Sequence, residues 1–284
     1  MDSKEKLIHV IDDLDGECKI RDYLKNRLGF STSLIAKVKY GGVCLNGEAV
    51  HMRAIVKNND EITVDFPDEE SENISPIDMP LDILYEDEYL LAINKPKNMP
   101  VHPCRGNHLP TLAEGVRAYL NKPFVFRAVN RLDRDTSGIV LIAKTQLAAA
   151  KMCVAMQKKH FDKTYIAIVS GVPEEKCGVI NAPIERESEG NIKRIVTPFG
   201  KASITEYRVI DKTDDGNSIV EVKAITGRTH QIRVHFAHIG HPLVNDFLYG
   251  VKVEGKTYTL HCSEITFPHP KNGEPITVRC ELKI

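Results

Sequence analysis

The sequence feature that most limits the possible folds is the run Ile139 to Ala143, IVLIA, in which no position is polar. A run this short reads as a strand, and a strand apolar on both faces belongs inside a covered sheet. It closes the stretch from Phe126 to Lys144, FRAVNRLDRDTSGIVLIAK. Asp133 stands at the centre of this stretch between Arg131 and Arg134, followed by Asp135, Thr136, Ser137 and Gly138. Nearby positive charge favours an ionised carboxylate, so Asp133 is expected to be a nucleophile or ion-pair partner and not a proton donor. The same letters also spell a surface turn, because Asx and Ser/Thr side chains bond to local backbone and Gly supplies positive φ. Taken alone the segment favours the turn, and the rest of the chain has to decide.

With 284 residues the chain suits one large domain and one small one. Hydrophobic residues make up 42% and charged residues 27%, which excludes a disordered or fibrous chain. No apolar run approaches the roughly 18 residues of a membrane helix. The opening MDSKEKLIHVIDDLDGE lacks the apolar core and cleavage site of a signal peptide. A cytoplasmic protein with no membrane partner is expected. The 7 cysteines include no CxxC pair, which favours reduced thiols over disulfides or a zinc ribbon.

The net charge of −1 hides a strong asymmetry. Lys19 to Asn58 holds eight Lys/Arg against two acids, Asn59 to Tyr89 twelve acids and no Lys/Arg, and Arg127 to Lys163 eight bases against three acids. Binding to phosphate depends on a local basic face and not on the sum. Each block read singly is also compatible with solvated surface charge.

Along the chain, KIRDYLKNRLG places Ile20, Leu24 and Leu28 at helical spacing before Gly29, and a second short helix runs from the STS cap through Leu34, Ile35 and Val38. VCLNGEAV carries the Asn46-Gly47 hairpin signal, and Glu61 to Phe66 alternates as a strand. This pattern of two short helices and a hairpin resembles the small RNA-binding domain shared with a ribosomal small-subunit protein. The resemblance implies that Arg21, Lys25, Lys37 and Lys39 meet RNA backbone. Residues 68–80, DEESENISPIDMP, have linker composition, so residues 1–67 are expected to form one domain, 81–284 another, and the two to reorient.

The larger domain reads as LDILYEDEYLLAINKP, a proline-rich loop, helices over Thr111 to Tyr119 and Leu147 to His160, and strands YIAIVSG, ITEYRVI, SIVEVKAI and TLHCSEITF. The expected fold class is α+β: a small α/β domain followed by a mainly antiparallel or mixed sheet. In THQIRVHF, alternation predicts a strand with Gln231, Arg233 and His235 on one face and Ile232, Val234 and Phe236 on the other. His235, His238 and His241 raise a metal reading, but no Cys or clustered acid completes a ligand set, so no metal is expected.

Five stretches, NKPKNMPVHP, NRLDRDTSGIVLIAK, KTYIAIVSG, TGRTHQIRVHFAHIGHPLVNDFLYG and LHCSEITFPHP, resemble in this order the motifs of the RluA-type pseudouridine synthases. The resemblance implies isomerisation of uridine in RNA without cofactor or metal. The family's catalytic aspartate matches Asp133, its active-site tyrosine Tyr165 and its carboxylate-pairing arginine Arg233. Arg131 matches the arginine that fills the helix when the target uridine is turned out, and Asn130, Arg228 and His230 fall among the expected substrate contacts. Asn130 stands where the family usually has His, and Asn carries no charge near neutral pH. Ribosomal RNA of the large subunit is the first expected partner, transfer RNA the second, and a monomer the expected state. Two rivals stay open: an RNA-binding assembly factor without turnover, and a glycosidic hydrolase, which requires a second carboxylate about 5–10 Å from Asp133.

Overall fold

A computed structural model of the chain describes residues 6–67, 74–103, 109–121 and 124–282. The amino-terminal unit consists of β1 (Lys6–Val10), β2 (Cys18–Lys19), α1 (Ile20–Asn26), α2 (Thr32–Val38), β3 (Val43–Leu45), β4 (Glu48–Ala49), β5 (Ile55–Val56) and β6 (Glu61–Asp65). Helical spacing drives Ile20, Tyr23 and Leu24 into a core of their own, where they meet Ile35, Val38 and Val64. Ser31 caps α2 by accepting from the Leu34 amide at 3.1 Å. The Asn46-Gly47 turn joins β3 to β4 in a sheet ordered β1-β6-β3-β4. The sequence reading does not include β1, because only Leu7 on it is buried while Ile8 and Val10 are exposed, and the alternation is too weak to register.

The larger unit follows as β7 (Ile83–Glu86), β8 (Leu90–Lys95), α3 (Leu112–Leu120), β9 (Arg127–Ala128), β10 (Ser137–Ala143), α4 (Gln146–Gln157), β11 (Asp162–Val169), β12 (Cys177–Asn181), β13 (Ile184–Arg186), β14 (Arg194–Val196), β15 (Ile204–Lys212), β16 (Ser218–Ala224), α5 (Gln231–His238), β17 (Leu260–Pro268) and β18 (Pro275–Arg279). The main sheet runs β12-β15-β16-β11-β17-β10-β8-β7, with β9 beside β10 and β18 beside β17. The pairing of β10 with β17 is parallel, and the other pairings of this sheet are antiparallel, so the sheet is mixed. Every residue of β10 is buried, as its two apolar faces require. At Gly138, φ is +104° and a Cβ would overlap the backbone of Cys262, so only glycine lets β10 begin its parallel pairing with β17.

The two units are docked. Ala150 of α4 is part of the amino-terminal core, and Leu147 packs against it. Gln146 Nε2 donates to the Pro67 carbonyl at 2.6 Å. Gly29 lies so close to α4 that an added Cβ would fall 2.6 Å from Val154 Cγ2. Part of the expected tether, residues 68–73, lies outside the described residues. Its second half is anchored: Ile74 packs on the larger core, the Ile77 amide donates to the Glu114 carbonyl, and Met79 lies against Gly115. The reorientation expected from composition is thus replaced by a seated arrangement, because Ile74 and Met79, scattered among the acids, pack on the larger unit and the Ile77 backbone is hydrogen-bonded to α3. Among the described residues no helix is long and apolar enough to cross a membrane.

The strand expected over Thr229 to Phe236 is instead α5. Ile232 and Phe236, which alternate with polar residues, are also four apart and so share a helix face in the core. Gln231 commits the segment to its helical start: its Nε2 donates to the Ile204 carbonyl, and its Oε1 accepts from Thr226 Oγ1 at 2.7 Å and from the Arg228 amide at 3.0 Å. Arg233, which strand alternation would place with Gln231 and His235 on the face opposite the apolar residues, is 2% exposed.

Candidate active site

Asp133 lies on the loop between β9 and β10, and both sides of that loop are tied down. On one side Asn130 is buried, with Nδ2 donating to the Ile139 carbonyl at 3.0 Å and Oδ1 accepting from the Leu141 amide at 2.8 Å. Asn130 therefore positions the loop from within and does not face a substrate, which corrects the expectation of an RNA contact. On the other side Lys95 at the end of β8 is fully buried, and its Nζ donates to the carbonyls of Pro96, Met99 and Arg134 at 2.8, 2.8 and 3.0 Å. Burial pushes its pKa down to about 8, opposed by the charges of Asp135 and Asp133, so it keeps the three protons its three acceptors need at neutral pH.

The arginines beside Asp133 in sequence do not pair with it. Arg134 bonds to the buried Asp135, Nη2 to Oδ2 at 2.9 Å, and Arg131 is exposed. Asp133 is met instead by Arg233 from α5, whose Nη1 lies 3.5 Å from its Oδ2. Arg233 is gripped on its other edge by the fully buried Asp246, through Nε–Oδ2 at 2.7 Å and Nη2–Oδ1 at 2.8 Å. Three rings surround the guanidinium, with centroids 4.3 Å (Tyr258), 5.0 Å (Tyr249) and 5.5 Å (Phe247) from Cζ. Burial works against the Arg233 charge, but the Asp246 hydrogen bonds and the neighbouring carboxylates outweigh it and raise its pKa above the ordinary arginine value.

His230 adopts a left-handed conformation just before α5, φ 57°, and brings Nε2 to 3.9 Å from Asp133 Oδ2. That is an approach and not a hydrogen bond. Burial lowers its pKa against the opposing charge of Asp133, so the ring is neutral at pH 7. The Tyr249 hydroxyl accepts from the Arg194 amide at 2.9 Å and lies 2.8 Å from His230 Nδ1. Donation from Tyr249 to Nδ1 satisfies this pair and leaves the imidazole proton on Nε2, toward the carboxylate.

Tyr165 stands on β11 where the register with β17 shifts, and its side chain points inward with Ala167 and Val169. Burial drives its pKa well above the ordinary phenol value, with smaller contributions in the same direction from Cys262 and from the Asp133 charge. The phenol therefore stays protonated across the physiological range. The site thus joins Asp133, Arg233, His230 and Tyr165 of the residues singled out in the sequence. Arg131 and Arg228 are exposed, Arg228 Nε donating to the Ala202 carbonyl at 3.3 Å. Arg21, Lys25 and Lys37 are exposed on the amino-terminal unit, and Lys39 lies over the Tyr40 ring at 4.5 Å.

Sequence reasoning missed Lys95, Asp246, Tyr249 and Tyr258. The first three stood inside quoted motifs, but nothing local marks a lysine or aspartate as buried. His235 has Nδ1 at 2.8 Å from Thr205 Oγ1 and Nε2 at 2.9 Å from the Ala182 carbonyl, while His241 Nδ1 pairs with the Ser170 carbonyl at 2.8 Å. Among the described residues no three His, Cys, Asp or Glu side chains converge on a metal position.

A carboxylate held by a buried arginine at the mouth of a mixed sheet agrees with the comparisons to known proteins. Residues 89–238 match the model of the family described as RNA pseudouridylate synthase. The chain is 37% identical over 270 residues to an uncharacterised RNA pseudouridine synthase, YjbO, of Bacillus subtilis, covering 93% of this chain and 95% of that one. It is 35% identical over 269 residues to the ribosomal large subunit pseudouridine synthase D of Xanthomonas campestris, covering 87% and 80%. Among solved structures, human RNA pseudouridylate synthase domain containing 1 matches with a TM-score of 0.61 and 28% identity, over 71% of this chain and 83% of that one. The chain belongs to the RNA pseudouridylate synthase family, in its RluA-type branch, and is an isomerase that acts on RNA.

Proposed function

We propose that this chain isomerises specific uridines in structured RNA, that the substrate is large-subunit ribosomal RNA, and that Asp133 is the nucleophile. The observation that carries the reading is the Asp133 carboxylate itself. Its side chain is 30% exposed, open to a substrate, while the Arg233 that faces it is held from behind by Asp246. A carboxylate faced by a cation that is itself held in place before the substrate arrives needs little reorganisation when the reaction begins.

In the reaction, Asp133 attacks the ribose–uracil unit and the bond between N1 and C1′ breaks. The base turns, C5 bonds to C1′ and displaces the carboxylate, so that the bond made by Asp133 breaks again; the C5 proton leaves and N1 takes one up, so the formula is unchanged and Asp133 is regenerated. Tyr165 offers a protonated phenol beside this exchange and serves as proton relay. Neutral His230 and Arg233 hold the carboxylate side. Residues 1–67, with a core of their own and a basic excess between Lys19 and Asn58, hold the RNA, Arg21, Lys25, Lys37 and Lys39 meeting phosphates, and residues 81–284 perform the chemistry. Arg131 and Arg228, exposed near the site, contact the substrate. Support for the ribosomal target comes from relatives named ribosomal large subunit pseudouridine synthase D at 34–35% identity. We place the protein in the cytoplasm as a monomer.

Incubating the purified protein with total RNA from cells lacking the gene, followed by pseudouridine mapping, tests this reading. New pseudouridine in large-subunit RNA, and none with Asp133→Ala, is the expected result. Modification confined to transfer RNA would overturn the substrate. Normal turnover by Asp133→Ala would overturn the nucleophile, and free uracil would point to hydrolysis.

A further inference from the structure

The loop that delivers Asp246 to Arg233 also presents an aromatic ring to solvent. Asp246 Oδ1 accepts from the Leu248 and Tyr249 amides at 3.0 and 3.2 Å, which fixes the backbone on both sides of residue 247. Asp246 is fully buried, and its neighbour Phe247 is 40% exposed. The Phe247 ring lies 5.5 Å from Arg233 Cζ, against a guanidinium that is itself only 2% exposed. Of the three rings around Arg233, Tyr258 is buried, Tyr249 partly so, and Phe247 alone is exposed. Phe247 is thus the outer wall of the arginine pocket, with much of its surface open to water.

A single exposed apolar side chain is ordinary on a protein surface. The unusual point is the place: a ring carried by a hydrogen-bonded turn at the rim of a site whose substrate is RNA. Unpaired bases present flat faces, and proteins hold them on aromatic side chains. Turning one nucleotide out of a stack also leaves its neighbour without a partner on one side. We propose that Phe247 is a stacking platform for the nucleobase adjacent to the target uridine. This rests on the function proposed above. The target base has to descend to Asp133 beside buried Tyr165, whereas Phe247 borders Arg233 from outside, so the base it receives lies one step outward along the strand.

The test uses the full-length protein and a stem-loop RNA spanning a uridine whose conversion in total RNA requires Asp133. The RNA is made intact, and with an abasic ribose at the 5′ or the 3′ neighbour of that uridine. On intact RNA, Phe247→Ala is expected to raise KM on the order of tenfold with kcat changed less than about threefold, and Phe247→Tyr to behave as wild type. On one of the two abasic RNAs, wild type and Phe247→Ala should become equal. An equal loss on all three RNAs would mean that the ring only supports Arg233, and no loss on any would mean that it does nothing; either overturns the proposal. Should Phe247→Ala unfold, Phe247→Leu keeps apolar bulk without a π face and is read in the same way. Absence of any Asp133-dependent uridine in total RNA is a separate outcome, seen before any stem-loop is made, and it would remove the function and the platform together.

Discussion

Arg233 spans two carboxylates: Asp246 takes its Nε and Nη2 at 2.7 and 2.8 Å, and its Nη1 is left 3.5 Å from Asp133. The short, paired bonds are to the residue that no substrate can reach, so Asp246 fixes the direction in which Arg233 presents its remaining edge. Asp246→Asn keeps the volume and removes the charge, freeing the guanidinium to swing toward Asp133. The expected result is a fall in kcat of about 100-fold, as for a misplaced reacting group, with RNA affinity within a few fold of wild type. Asp246→Ala leaves Arg233 buried with half its partners and should cost about 3–5 kcal/mol of stability in a urea titration. Unchanged single-turnover rates in Asp246→Asn would show that the grip is not needed.

Asn130 makes a parallel case for the loop before Asp133. Its amide satisfies one carbonyl and one amide of the β10 backbone, both inside the sheet. Asn130→Ala strands both, at about 1–3 kcal/mol each. The expected variant is measurably less stable and slower, with the rate loss in kcat and not in RNA binding. An RNA-binding defect with full stability would instead return Asn130 to the substrate surface.

The uneven legibility of this protein has physical causes. IVLIA was readable because a strand with no polar face has one place to go, and Asn46-Gly47 because few other dipeptides close a hairpin so well. Asp133, Tyr165 and Arg233 were readable because five motifs occur in order. Lys95 was not, since a lysine between Asn94 and Pro96 looks like surface charge until the carbonyls of Pro96, Met99 and Arg134 are seen to converge on it. Asp246 lies 13 residues from Arg233, and only the turn through Gly240 and Asn245 brings them together. The α5 error came from Ile232, Val234 and Phe236, which satisfy a period of two as well as part of a helical one. The docking of the two units rests on Ala150 and Gly29, small residues whose role is close approach, and this leaves no hydrophobic signal.

The docking makes its own prediction. A side chain at Gly29 has to displace α4, because Val154 Cγ2 would lie 2.6 Å from its Cβ. Gly29→Leu should separate the units while leaving the larger core folded. Limited proteolysis should then cleave between them faster than in wild type, and RNA affinity should drop with kcat retained. Wild-type protease resistance in the variant would show that the seam tolerates the added bulk.

Acid should weaken the fold. His9, His102, His230, His235 and His261 all have pKa values lowered from 6.5, burial being the first cause in each. The unfolded chain therefore takes up these protons near pH 6.5, before the folded chain does, so stability falls as pH falls. This contribution is complete above about pH 6.5 and is lost progressively below it. Urea midpoints measured from pH 7.5 down to 5 should decline steadily, and a flat or rising profile would contradict the burial of these rings.

The central claim is that Asp133 turns uridine into pseudouridine in ribosomal RNA. Carbodiimide-based mapping of total RNA from cells that lack the gene, and from the same cells carrying wild type or Asp133→Ala, measures it most directly. The account predicts one or more positions in large-subunit RNA that are lost with the gene, restored by wild type and not restored by Asp133→Ala. An identical map in all three, with the protein still bound to RNA, would contradict it and favour an assembly factor that has the fold without the turnover.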